Sequence, residues 1–248
     1  MTRGFVCHRS ELSGHDLKCT AVAEKSKRTR LQIVQSNAKM ILVAYSYLVL
    51  NKPYGVVAQF SDRAGEGHTT LAALVPIQNV YPAGRLDKDS EGLLLLTDDG
   101  AFQHRVSHPK FEHPKTYWAQ VEGVPTDEAL AKLHAGVPVE DYVTKPAKVR
   151  VLTSVNVPAR VPPVRYRAEI PDSWIEIQLT EGRNRQVRRM CAAVGYPVLR
   201  LIRVSIGELR LGDLKSGEWR RLTESERMSL GPGPSGPRRF KNRPTTGV

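Results

Sequence analysis

Short runs of strand-forming residues, each closed by Gly, Pro or Asp, recur along the middle of the chain. They are "ILVAYSYLVL" from Ile41, "GLLLLT" from Gly92, "TYWAQVEG" from Thr116, "AKVRVLTSV" from Ala147 and "SWIEIQLT" from Ser173. Their length and their β-branched and aromatic content predict strands. Helical pattern is sparser. "TDEALAKLHAG" offers Thr126 as an N-cap, acids in the first turn and Gly136 as a stop, and "RQVRRMCAAVG" ends in the same way at Gly195. Strands outnumber helices with no regular βαβ alternation, which predicts an α+β domain on a mixed, mainly antiparallel sheet with flanking helices.

The ends of the chain differ from this middle. Residues 1–45 hold eight Lys/Arg against three acids with no sustained period, and residues 231–248 hold four against none in a Pro/Gly-rich setting. Nine of the twelve net positive charges therefore lie at the ends. The expected division is a flexible basic arm over 1–45, a folded domain over 46–227, and a disordered basic tail over 228–248 able to touch nucleic acid nonspecifically. Within the domain, residues 181–210 carry seven arginines and two acids, a patch more informative than the overall charge. Three widely spaced cysteines with no C-x-x-C pair argue against a disulfide framework or a zinc finger and suit a reducing cytoplasm. The apolar stretch over 40–50 is about half of a membrane span, so no membrane association is expected.

Four segments are candidates for chemistry. In "GRLD", Gly84 to Asp87, the aspartate stands directly ahead of four leucines, in a connection that a buried strand would hold at the edge of a cleft. Taken alone it reads first as a turn or capping residue. "EGRNRQVRRM", Glu181 to Met190, opens a helix after a strand; Arg185, Arg188 and Arg189 are spaced to share one helical face, and Arg183 precedes them. A phosphate site fits a run with no interspersed acid better than a merely solvated face. In "HPKTYWAQVEG", Tyr117 and Trp118 must point to opposite faces of a strand, one toward the core and one outward or into a cleft, where it could stack on a nucleobase. "NKPYGV", Asn51 to Val56, is a cluster of turn formers that says nothing by itself.

Taken together, "LNKPYGV", "AGRLDKDSEGLLLLTDDG", "HPKTYWAQVEG" and the long segment from "EGRNRQVRRM" to "GEWRRLT" resemble, in order and approximate spacing, the pseudouridine synthases typified by ribosomal small-subunit pseudouridine synthase A. The resemblance runs from about Tyr47 to Thr223. Within that family the chain is similar to the E-type enzymes of the large ribosomal subunit, which likewise lack the S4-type RNA-binding domain that most members carry; residues 1–45 are too short and irregular to supply one.

The resemblance implies the pseudouridine synthase fold with a central RNA-binding cleft, and a cofactor-free, metal-free isomerisation of a ribosomal RNA uridine, expected in 23S RNA. It places the family's catalytic aspartate on Asp87, its active-site tyrosine on Tyr117 and the basic partner of the aspartate on Arg188. Arg85, Arg183, Arg185, Arg189 and Lys52 are the expected RNA contacts, and a cytoplasmic monomer is the expected form. Two rival readings exist. A non-catalytic RNA-binding protein would not need Asp87, Tyr117 and Arg188 together. A glycosidase would need a second carboxylate opposite the first, and Asp89 has no partner motif.

Overall fold

The computed structural model describes residues 45–62, 65–140, 142–165 and 169–231. The expected arm, apart from Tyr45, and the tail beyond 231 lie outside the described residues. In chain order come β1 (Tyr47–Lys52), β2 (Tyr81–Pro82), β3 (Glu91–Thr97), helix α1 (Gly100–Ser107), β4 (Lys115–Glu122) and helix α2 (Asp127–Ala135). The pair β5 (Pro138–Val139) and β6 (Tyr142–Val143) leads to β7 (Lys148–Leu152) and β8 (Asp172–Leu179). Helix α3 (Gln186–Ala193), β9 (Val198–Ile206), β10 (Leu209–Arg210), β11 (Trp219–Arg221) and helix α4 (Glu224–Ser229) follow.

Among the described residues nine strands form one sheet in the order β11-β1-β3-β9-β4-β8-β7, with β2 added to β3 and β10 to β9. Its pairings are antiparallel except that of β3 with β9, so the expected mixed, mainly antiparallel sheet is what forms. At the parallel junction Gly92 pairs with Arg203. Gly92 has φ of +99°, and a Cβ there would collide with the backbone of Arg203, so the close approach of the two strands requires glycine.

Every residue of β3 is buried, which is why its leucines read as one unbroken run rather than an alternation. Leu94 and Leu96 pack with Leu48, Leu50 and Leu86 on one face. Leu93 and Leu95 pack with Phe102, Ile206 and Leu230 on the other. A third cluster gathers Ile175, Ile177, Met190 and Leu133 around β4, β8, α2 and α3. Tyr117 packs against both this cluster and the Leu86 cluster, placing it on the seam between two halves of the core.

Helix α2 starts where its sequence indicates: Thr126 caps it by accepting from the Ala129 N–H, and Gly136 follows with φ of +95°. The expected domain end at 227 falls too early. Helix α4 runs to Ser229 under a capping box of Thr223 and Glu226, and Leu230 is fully buried.

Candidate active site

The segment from Ala83 to Ser90 enters β3 beside β9, and the strand pairing sets what faces it. Tyr117 on β4 lies opposite Arg203 on β9 and Ile177 on β8, so these side chains share one face. Trp118 takes the other face, where its Nε1 donates to Glu176 Oε2 at 3.0 Å. On the Tyr117 face a cavity of about 360 Å³ opens, lined by Asp87, Arg85, Tyr117, Lys115, Arg185 and Arg203 among others. Asp87 is about a third exposed, at 35 %. It stands at the cavity wall with water still in reach.

The expected ion pair between Asp87 and Arg188 is not the one that forms. Arg188 Nε lies 3.3 Å from Asp89 Oδ2, and its Nη2 and Nη1 donate to the backbone carbonyls of Asp89 (2.7 Å) and Val198 (3.1 Å). Its chemistry explains the substitution: a guanidinium fork can grip backbone and carboxylate together, so Arg188 pins the loop that carries Asp87 rather than the carboxylate itself. Burial lowers its pKa below the usual arginine value, with the Asp89 charge working in the other direction. Among the described residues the cation nearest Asp87 is Arg185, whose Nη1 is 4.0 Å from Oδ2. Arg185 also donates through Nη1 and Nη2 to both oxygens of Asp89, at 3.0 and 2.8 Å.

Asp89 is thus the hub of the cluster. Burial pushes its carboxyl up, but the hydrogen bonds from Arg185 and the charges of Arg188 and Arg185 outweigh this and hold it below the usual range. Arg185 caps α3 from the left-handed region, with φ of +50°. Such a conformation costs a non-glycine residue about 1–3 kcal/mol, and the paired guanidinium helps to hold it.

The remaining expected RNA contacts divide. Arg85 is exposed on the cavity rim. Arg183 stacks at 3.9 Å over the Tyr142 ring, beside the cavity. Arg189 is not among the residues lining the cavity: it pairs with Glu140 at 2.9 Å, and its Nη2 donates to Asn184 Oδ1 at 3.3 Å. Lys52 is a correction. It is fully buried, and its Nζ donates to the carbonyls of Pro53 (2.9 Å), Val56 (2.7 Å) and Lys88 (3.4 Å). Burial lowers its pKa to about 8. It ties the "KPYG" turn to the Asp87 loop and offers nothing to RNA. Lys115 and Arg203 in the cavity wall carry no expectation from the sequence, and Asp89 behind it was weighed only as a second carboxylate. Lys115 had a usable signal, since it stands two residues from Tyr117 in a strand and must share its face. Among the described residues no group of three or more His, Cys, Asp or Glu is placed to hold a metal ion, and no helix is long and apolar enough to cross a membrane.

Residues 46–193 match the family described as RNA pseudouridylate synthase. The chain belongs to that family. The synthase is 51 % identical over 175 residues to the ribosomal large subunit pseudouridine synthase E of Vibrio parahaemolyticus, covering 71 % of this chain and 73 % of that one. It is 57 % identical over 168 residues to the protein of the same name from Xanthomonas axonopodis pv. citri, covering 67 % and 88 %. A solved pseudouridylate synthase superposes with a TM-score of 0.64 at 34 % identity, over 75 % of this chain and 74 % of that one.

Proposed function

We propose that this synthase converts a uridine of large-subunit (23S) ribosomal RNA to pseudouridine, with Asp87 as the reacting carboxylate. The observation that carries the reading is Asp87 in the wall of a cavity that Tyr117 also lines, in a chain of this family. The large-subunit substrate is suggested by the names of its relatives.

A stacked uridine cannot reach the Asp87 carboxylate, so the base must be extruded at a cost of a few kcal/mol. Stacking on Tyr117 recovers part of that, about 1–3 kcal/mol. The C1′–N1 bond then breaks and a C1′–C5 bond forms, with one proton leaving C5 and one arriving at N1. No group and no electrons are gained or lost, so no cofactor is needed. Asp87 acts as a nucleophile or stabilises an oxocarbenium-like centre, and both roles require it ionised. The Arg185 guanidinium stands 4.0 Å from its Oδ2. Arg85 and Arg183 flank the cavity where neighbouring phosphates would pass.

The test is a comparison of ribosomal RNA from cells with and without the protein, mapping pseudouridines by carbodiimide-stopped primer extension. One site missing from large-subunit RNA is the expected result. Loss in small-subunit or transfer RNA instead would overturn the substrate assignment, and no loss anywhere would overturn the activity.

A further inference from the structure

Arg203 is 3 % exposed and lines the Asp87 cavity. Its Nε donates to the Leu93 carbonyl at 2.8 Å and its Nη1 to the Arg85 carbonyl at 3.4 Å. Its Nη2 is buried with no hydrogen-bond partner among the described residues. Leaving such a group unpaired is costly, the more so where it is charged. Ser90, 1 % exposed in the same wall, has an Oγ that likewise lacks a partner among the described residues. Lys115 lines the cavity too and donates to the His113 carbonyl at 3.0 Å, with two further N–H bonds to offer. Burial and the nearby Arg203 charge lower its pKa to about 8. Two cations therefore line a cavity whose reacting carboxylate is far more exposed than Arg203.

We propose that Arg203, with Lys115 beside it, is the specificity-determining contact that receives O4 of the extruded uracil. The inference rests on reading Asp87 as the reacting carboxylate. Asp87 must meet C1′, so the sugar sits at the exposed side. C4 lies across the ring from N1, which makes O4 the exocyclic atom farthest from the sugar and sends it to the enclosed side. Uracil presents an acceptor there. Cytosine presents an amino donor, which would face a guanidinium N–H and leave both unpaired. The contact also matches the chemistry. When C1′–N1 breaks, its electron pair stays on the ring and is shared through C6=C5 to O4 before it forms the C1′–C5 bond. Attack on C6 would likewise place charge on O4. Donors fixed at O4 stabilise charge where it develops on either route.

The experiment uses the full chain carrying Asp87→Asn, which stops the chemistry, and oligoribonucleotides spanning the mapped uridine with either U or C at the target. The uridine strand should bind about tenfold tighter. Adding Arg203→Gln should reduce that preference to within about twofold, and Lys115→Gln should reduce it in part. Equal affinity for both strands in the Asp87→Asn protein would overturn the proposal, as would an undiminished preference in the Arg203→Gln protein. Arg203 also supports Leu93 and Arg85, so thermal unfolding accompanies each variant. Should Arg203→Gln not fold, the Lys115→Gln preference decides, and an undiminished value overturns the proposal. An Asp87→Asn protein that still converts uridine would strike instead at the reading of Asp87, which separates the two failures.

Discussion

Asp89 and Glu91 stand two residues apart at the entrance to one strand, and each is gripped through both oxygens by an arginine that arrives from about a hundred residues later. Glu91 pairs with Arg200 at 2.8 Å through both contacts, and the side chains are only 9 % and 8 % exposed. Arg200 is fixed further by the Pro158 carbonyl at 2.8 Å. Asp89 and Arg185 keep 32 % and 43 % exposure, and a third charge, Asp87, lies 4.0 Å from Arg185. The same chemistry thus serves two purposes. The closed pair locks β3 to β9 on the face away from the cavity. The open pair leaves an arginine shared between two carboxylates, within reach of an incoming phosphate.

Substitutions should separate the two. Glu91→Ala leaves the Arg200 charge buried and unpaired, and denaturant unfolding should show a loss of about 3–5 kcal/mol; a loss under about 1 kcal/mol would place the pair with ordinary surface contacts. Asp89→Asn should change stability by no more than about 1 kcal/mol. It should nonetheless slow pseudouridine formation by about tenfold or more, because the Asp87 loop loses its anchor to α3; a normal rate in that variant would remove Asp89 from the positioning machinery. Arg185→Ala should weaken RNA binding and reduce the slope of log affinity against log salt by about one. The smallest effect is on pH dependence. The folded Asp89 carboxyl titrates below its ordinary value of 3.8, so the unfolded chain binds the proton first as pH falls. The contribution of the pair is present above about pH 4 and is lost below it. The stability difference between the wild type and Asp89→Asn should shrink between pH 7 and pH 3, and a difference that grows would reverse the assignment.

The sheet class, the start of α2 and the basic segment with Arg185 rest on local patterns in the sequence, whereas the choice of Asp87 over a turn residue and of Tyr117 over Trp118 came from the family resemblance. Strand β9 was not legible in the sequence. Arg200 and Arg203 interrupt its apolar run, and only Glu91 and the carbonyls of Leu93, Arg85 and Pro158, distant in sequence, make those arginines fit to bury. Lys52 failed for the same reason: three backbone carbonyls convert an apparently exposed lysine into a buried tie. The exchange of Asp87 for Asp89 as the partner of Arg188 turns on which of two neighbouring carboxylates points toward α3, which spacing does not encode. Thr223 and Glu226, by contrast, stand at capping-box spacing, a signal sufficient to have carried the domain past 227.

In the proposed reaction Asp87 carries the chemistry while the arginines around it hold RNA and the loop. Measuring pseudouridine formation and RNA affinity side by side for Asp87→Asn, on large-subunit RNA from cells lacking the protein, tests this assignment most directly. The expected result is no detectable product, with affinity within about twofold of the wild type. Pseudouridine formed by the Asp87→Asn protein would contradict it.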